Sequence, residues 1–246
     1  MLLSLGLFVC GLCFGSFISA LAQRSVVHNS NWRGRSVCLK CHKKILFFDL
    51  IPVLSFIFLK GRCRFCKTKI GWREPITEII SGILFVLVGL AHNNQINLLL
   101  IRDLIFSVFL ILLFLTDIYG EVLPHRFTAT AVTVTIILNL LVNNYRANGH
   151  SPLQMIIGII IGGGFFYLQY LISHGRWVGG GDIGMGLFLG AMLGWPLCLV
   201  AIGLAYIIGA IFAVILLLKK KVGLDSRLPF GPFLAVAGWV VLVFLN

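Results

Sequence analysis

Charge is what this sequence has least of. Only 11% of its 246 residues are charged and 59% are hydrophobic, where an ordinary soluble domain is about 25% charged. So few polar side chains cannot cover a water-soluble globule, so lipid must solvate most of the surface. Acidic residues number only eight, and each one near an apolar run calls for a reason. Positive charge is also missing ahead of the first apolar run, residues 2–22, since the first basic residue is Arg24. A cleaved signal peptide carries its charge in front of its apolar core. Although Ala20-Leu21-Ala22 is a passable cleavage site, the run therefore reads as a retained first transmembrane helix with its N-terminus outside.

What is present is a series of apolar runs, at about 2–22, 75–93, 98–116, 127–143, 153–172, 184–196, 197–218 and 230–245. At roughly 20 residues per crossing, they predict an all-α polytopic membrane protein of about eight transmembrane helices. Gly194-Trp195-Pro196 is the only punctuation between Met185 and Leu218, and Pro there either turns the chain or kinks one long helix. The net charge of +12 invites a nucleic-acid reading, but twelve of the twenty Lys and Arg residues lie between Arg24 and Arg73. Basic loops beside apolar helices are what the positive-inside bias produces, so no nucleic-acid partner is expected and the lipid bilayer is. Counting from an outer N-terminus puts loops 23–74, 117–126, 173–183 and 219–229, with Lys219-Lys220-Lys221, in the cytoplasm. The opposite loops contain only Arg146. Arg102 and Asp103, near the outer end of the third span, are sequence neighbours that point apart on a helix, and snorkelling to the headgroups accounts for them.

The long polar loop carries Cys38-x-x-Cys41 and Cys63-x-x-Cys66, separated by 21 residues. Each pair forms a tight turn that presents two thiolates, and two such turns close around one tetrahedral zinc. The alternative, a pair of disulfides, does not suit a loop assigned to the reducing cytoplasm. Four cysteine ligands leave no open position, so the zinc is structural, and its binding supplies folding energy to a loop with little core. The organisation expected is a first helix at 1–22, a zinc-binding cytoplasmic loop domain at 23–74 and a membrane domain at 75–246. Cys10, Cys13 and Cys198 read as buried packing residues, and His42 as a surface residue. Asp49-Leu50-Ile51-Pro52-Val53-Leu54-Ser55-Phe56 is an apolar segment within this loop. Periodicity leaves open whether it dips into the membrane interface or packs over the cysteines.

Two acidic residues sit at the cytoplasmic ends of apolar helices. Asp117 closes the third span and Asp182 follows Gly179-Gly180-Gly181 ahead of the sixth. Two complete crossings separate them, so both can lie on one face at similar depth. A carboxyl at membrane depth costs roughly 2.5–3.5 kcal/mol on insertion scales. A functional reason is a pair that shares one proton. The ionised member takes a proton from water attacking a peptide carbonyl, and the protonated member donates to the carbonyl oxygen and then to the leaving amine. Glycines without side chains let an extended peptide approach the backbone. On spacing alone other accounts serve equally: Asp182 as a helix cap, Asp117 as a helix end in water, or Glu121 in the place of Asp117. Glu78, in the first turn of the second span, is explained by the helix dipole. Lining the pathway of an ion or solute transporter is a further use for intramembrane aspartates.

Taken in order, these features resemble the type IV prepilin peptidases, membrane aspartic proteases of the GxGD type. The resemblance runs through Gly15-Ser16-Phe17, the two CxxC pairs with Asp49 to Ser55 between them, and Glu74-Pro75 with Glu78. It continues through Asp117 seven residues before Pro124, Gly179-Gly180-Gly181-Asp182, and Pro229-Phe230-Gly231-Pro232-Phe233. It implies Asp117 and Asp182 as the catalytic pair and prepilin or pseudopilin substrates, cut on the cytoplasmic face of the bacterial inner membrane between a basic leader and an apolar helix. Many members also methylate the new N-terminus with S-adenosylmethionine, for which no Rossmann-type glycine loop is present here. His125 stands where the family commonly has an acidic or amide residue, and Gly184 where Lys is frequent.

Overall fold

The computed structural model describes residues 2–27, 36–38, 40–121, 123–143, 151–219 and 228–245. Residues 28–35 of the long polar loop, Arg146, Lys220, Lys221 and most of the 219–229 loop lie outside the described residues. The described chain is helical: α1 Leu2–Val27, α2 Leu54–Phe58, α3 Arg73–Ala91, α4 Leu98–Gly120, α5 His125–Asn143, α6 Pro152–Ser173, α7 Gly180–Leu193, α8 Leu197–Leu218 and α9 Gly231–Phe244. A one-turn 3-10 helix at Phe47–Leu50 precedes α2. The eight expected apolar runs each become a helix. Six are long and apolar enough to cross a bilayer by themselves. Helices α7 and α9 have 14 residues each, about 21 Å at 1.5 Å per residue, short of a hydrocarbon core of about 30 Å.

Boundaries shift where caps decide them. Asn97 accepts a hydrogen bond from the Leu100 N–H at 2.7 Å and starts α4, satisfying one of the amides that a helix start leaves open. Ser151 and Gln154 form a reciprocal capping box ahead of Pro152 and start α6. At the other end of α4 the helix runs through Asp117 to Gly120, so the aspartate lies inside the last turn rather than in a loop. The expected start of the sixth span at residue 184 moves back to Gly180, which makes the glycine motif the first turn of α7. Gly194, with φ +66°, ends α7, and α8 begins at Leu197, so the chain breaks at Gly194-Trp195-Pro196 instead of kinking.

The chain divides into two compact units, Met1–Ile96 and Asn97–Asn246. In the first, α1 packs along α3. The contact is made by small residues: a Cβ on Gly11 would stand 2.6 Å from the Ser81 carbonyl oxygen, and one on Gly15 would stand 2.7 Å from the Ser81 hydroxyl. Spacing of this kind lets two helix backbones meet in lipid, where close packing replaces the hydrophobic drive. Glu74 accepts hydrogen bonds from Ser19 at 2.6 Å and from Gln23 across the same seam. Cys10 and Cys13 are exposed, not buried as their apolar setting implied; only Cys198 of the three is buried. An apolar run that crosses lipid presents small residues outward as readily as inward, which its composition does not reveal.

In the second unit α6 and α7 are in similar backbone contact, with Gly158 and Gly162 facing Gly190 and Gly186. Helix α9 packs on α4, α7 and α8, and its Gly238 lies against Leu189 of α7 and Leu110 of α4. Arg102 and Asp103 do not snorkel. Both are buried, paired at 2.7 Å between Nε and Oδ1, with Arg102 also donating to Asn139 of α5 at 3.4 Å. Asn139 donates in turn to the Ala191 carbonyl of α7 at 2.7 Å. Burial of the α4–α5–α7 seam closes off the headgroup route, so the charges pair locally.

Candidate carboxyl pair and four-thiol centre

The thiols come together through two copies of one turn. Cys38 N–H donates to the Lys43 carbonyl at 3.0 Å and His42 N–H to the Cys38 carbonyl at 2.9 Å. Cys63 N–H donates to Thr68 at 2.8 Å and Lys67 N–H to Cys63 at 3.0 Å. His42 and Lys67 hold matching left-handed positions, φ +54° and +57°, and the bridges Val37–Lys44 and Arg62–Lys69 close the two turns. His42 is exposed, as expected. The four Sγ atoms all lie within 4.8 Å of one another. A tetrahedral zinc with Zn–S of about 2.3 Å sets its sulfurs about 3.8 Å apart, and Cys38 and Cys66 Sγ are separated by 3.7 Å. The four thiols therefore fit such an ion, and all are free of disulfides.

Their protonation is divided. The Thr68 hydroxyl and N–H draw the Cys66 thiol down to about 6, and backbone N–H groups of Cys41 and Lys40 lower Cys38. Cys41 receives the Lys43 N–H, yet partial burial and the neighbouring thiols push it up to about 11. Negative charge accumulates until the next sulfur resists ionising, and a cation removes that resistance. Beside the cluster, Arg64 holds Asp49 through contacts at 2.6 and 2.9 Å, which keeps the Asp49 carboxyl below the usual carboxylate range and raises Arg64.

The carboxyls are brought together by helix ends. Asp117 is 5% exposed in the last turn of α4, and its Oδ2 has no hydrogen-bond partner among the described residues. It faces the start of α9: a Cβ on Gly231 would come 2.6 Å from that oxygen. Asp182 is half-buried in the first turn of α7 and accepts the Gly179 N–H at 3.0 Å. Each carboxyl thus stands at a helix N-terminus, where the dipole favours negative charge. Gly181 packs against Leu123, just after α4, with 2.6 Å left for a Cβ. That contact puts the α4 terminus and the α7 start at one end of the unit, and the charges of Asp117, Asp182 and Glu121 are close enough to interact. Glu121 itself is exposed in a left-handed C-cap position. Asp182 does serve its helix, as the N3 partner of the cap residue, while keeping one oxygen for other uses.

The two departures from the family pattern have local reasons. A Cβ on Gly184 would stand 2.8 Å from the Cβ and Oγ1 of Thr128, so α5 occupies the space a lysine stem needs. His125 is exposed at the first residue of α5, with Cε1 beside Gly180 of the glycine motif. Sequence reading passed over Tyr206 and Gln169, isolated polar residues on α8 and α6 that are hydrogen-bonded at 2.9 Å. Tyr206 packs against Phe230 with ring centroids 4.8 Å apart and planes tilted by 46°, and lies within electrostatic reach of Asp182. Their signal was polarity in otherwise apolar helices. Glu78 also differs from expectation: it is buried in α3 and accepts the Val53 N–H at 2.7 Å, so it ties down the apolar loop segment as well as facing a helix start.

Comparison with known proteins places both units. The model of the Bacterial Peptidase A24 N-terminal domain matches residues 9–92, inside the first unit. That of the Type IV leader peptidase family matches residues 104–214, inside the second. A prepilin leader peptidase/N-methyltransferase of Bacillus subtilis (strain 168) is 32% identical over 243 residues, covering 97% of this chain and 92% of that protein. The protein of the same name from Aeromonas salmonicida (strain A449) is 30% identical over 210 residues, covering 85% and 71%. That of Neisseria gonorrhoeae is 31% identical over 211 residues, covering 84% and 70%. No solved structure matches the chain. Nothing in these matches supports a transporter.

Proposed function

The chain belongs to the type IV leader peptidase family, and from that premise we propose that it is an aspartic endopeptidase of the bacterial inner membrane. Its substrates are prepilins or pseudopilins, from which it removes the short basic leader at the cytoplasmic face. Asp117 and Asp182 are the catalytic pair in this reading. The observation that carries it is the Asp117 carboxyl, buried and with Oδ2 unpartnered, at the same end of the unit as Asp182.

In this reading the two carboxyls, whose charges act on one another, hold one proton between them in preference to carrying two charges. The ionised member draws a proton from water as its oxygen attacks the scissile carbonyl. The protonated member donates to the carbonyl oxygen, and on collapse the leaving amine takes a proton from the pair. Helix starts at α7 and α9 favour the remaining negative charge. Gly179 and Gly180, whose nearest neighbours stand 3.7 and 3.8 Å from where a Cβ would lie, leave the turn free of side chains on the approach of a substrate backbone. The basic loop content fits a cytoplasmic orientation.

A structural zinc held by Cys38, Cys41, Cys63 and Cys66 is the second part of the proposal, supported by the sulfur spacing. Its role is to fold the lobe. Metal analysis of the purified chain is expected to find about one zinc per chain, and loss of both CxxC pairs without loss of metal refutes the assignment. The relatives' names also carry an N-methyltransferase activity. By that likeness the new N-terminus is methylated with S-adenosylmethionine, which supplies the methyl group. The described residues offer no Rossmann-type cradle for it, and none is assigned to it. Mass spectrometry of the processed pilin N-terminus decides this half. For the peptidase, Asp117→Asn and Asp182→Asn separately are expected to stop prepilin cleavage in membranes at normal protein abundance. Normal processing by either variant overturns the pair.

A further inference from the structure

The stretch from Leu46 to Phe58 in the cysteine lobe carries apolar side chains that nothing among the described residues of the lobe covers. Phe47, Phe48, Ile57, Phe58 and, further along, Trp72 are between 62% and 81% exposed. Such exposure is ordinary on a membrane-spanning helix and costly on a soluble lobe. Phe47 and Phe48 lie in the 3-10 turn and Ile57 and Phe58 in α2, neither long enough to span anything.

Position along α3 says what lies beside them. Helix α3 has 19 residues, about 28 Å long, so it just crosses a hydrocarbon core of about 30 Å with Arg73 at one boundary. Glu78 is five residues further on, about 7–8 Å inward along the axis, and side chains lean back toward the helix start. The Val53 N–H is bonded to that carboxylate at 2.7 Å. Val53 is therefore held between the levels of Arg73 and Glu78, at the boundary between headgroups and acyl chains. Its φ of +59° is unusual for a β-branched residue, and its N–H is engaged by Glu78. Phe56 of α2 packs on Trp72 at a 5.0 Å centroid distance, directly before α3 begins, and Trp is at home at this depth. The lobe is also joined at both ends to spans, α1 and α3, which tethers it near the bilayer.

Charge selects the kind of surface. Lys43, Lys44, Lys60, Arg62, Lys67 and Lys69 are exposed on the same lobe. Its one acidic residue, Asp49, is already engaged by Arg64. An apolar strip with a basic surround is the composition of an element lying in an acidic lipid interface.

We infer that residues 46–58 of the cysteine lobe are seated in the membrane, with Phe47, Phe48, Ile57 and Phe58 among the upper acyl chains and the surrounding lysines and arginines against acidic phospholipid headgroups. The seat fixes the lobe against the bilayer independently of any catalytic assignment.

The full-length protein tests this in vesicles of phosphatidylglycerol and phosphatidylcholine containing a phospholipid with a diazirine high on its acyl chain. After irradiation, peptide mass spectrometry is expected to find lipid adducts on residues 46–58 as well as on α1 and α3. The triple variant Phe47→Ser, Phe48→Ser, Phe58→Ser is expected to lose most of the lobe adducts while the span adducts persist. In vesicles of phosphatidylcholine alone, lobe labelling is expected to fall severalfold. Adducts on the spans with none on 46–58 overturn the inference. So does a benzophenone placed at position 58 that captures a second copy of the chain or another protein instead of lipid. Lobe labelling that is equal with and without phosphatidylglycerol overturns the headgroup assignment.

Discussion

The cysteine lobe draws its four sulfurs from two short turns, each of which folds within six residues of chain, Cys38 to Lys43 and Cys63 to Thr68. The carboxyl pair in the second unit is drawn from α4 and α7, with two whole helices between them. Both clusters hold groups that repel when ionised. The lobe can depend on a metal ion to compensate, and so needs little packing. The carboxyls rely instead on the helix starts of α7 and α9, and their separation depends on α9, on the Gly181–Leu123 contact and on the packing of α6 with α7. A cluster made locally fails locally when one member is removed. One made by packing fails whenever any supporting contact shifts.

The largest effects should separate the two. Asp117→Asn or Asp182→Asn is expected to lower prepilin cleavage by about 10²–10⁴-fold or more, the range general acid–base catalysis supplies, with thermal stability near that of the parent. Cys38→Ser with Cys41→Ser is expected to abolish stoichiometric metal, measured by elemental analysis, and to open the lobe to limited proteolysis while α4 to α9 stay protected. Equal protection of the lobe in that variant breaks the contrast.

Next in size is Gly231→Ala. Its Cβ would stand 2.6 Å from Asp117 Oδ2, so either the carboxyl or α9 must move. A misplacement of about 1 Å at a reacting group costs on the order of 10²-fold in rate, and the expected signature in a processing assay is a lowered kcat with little change in KM. Asn139→Leu tests the far end of the same helices. It removes the bond to the Ala191 carbonyl and leaves Arg102 short of a partner, at a cost of about 1–3 kcal/mol, read as a lowered Tm in detergent.

The smallest effect is expected at Asp49. Arg64 lowers its folded pKa, so the pair stabilises the lobe fully above the ordinary Asp value of about 3.9 and loses that contribution as pH falls through the depressed folded value. Hydrogen exchange of residues 46–66 should be only slightly slower in the parent than in Arg64→Ala at neutral pH, because the Arg64 side chain is 49% exposed and the pair is screened, and the parent's advantage should vanish in acid. An advantage that grows on acidification contradicts the sign.

Much of this was readable without coordinates because membrane solvent imposes a long-range rule on a local pattern. Eight apolar runs became eight helices, and the cysteine spacing described a turn that needs only neighbouring backbone. Burial of Arg102 with Asp103 was not readable: whether a charge reaches the headgroups or a partner depends on which face of α4 is covered by α5 and α7. The exposure of Cys10 and Cys13 failed for the same reason, since an apolar run does not announce which side meets lipid.

Sequence by itself determined that the chain lives in a bilayer, where its helices run, and which few acids and thiols stand out against that background. Hydrophobic transfer and turn geometry are set by residues close together in the chain. Tertiary structure alone decided that Asp117 meets the start of α9, that Thr128 fills the space beside Gly184, and that Glu78 reaches Val53. Those contacts join residues that no periodicity relates, and they exist because helices in lipid approach wherever small side chains let their backbones touch.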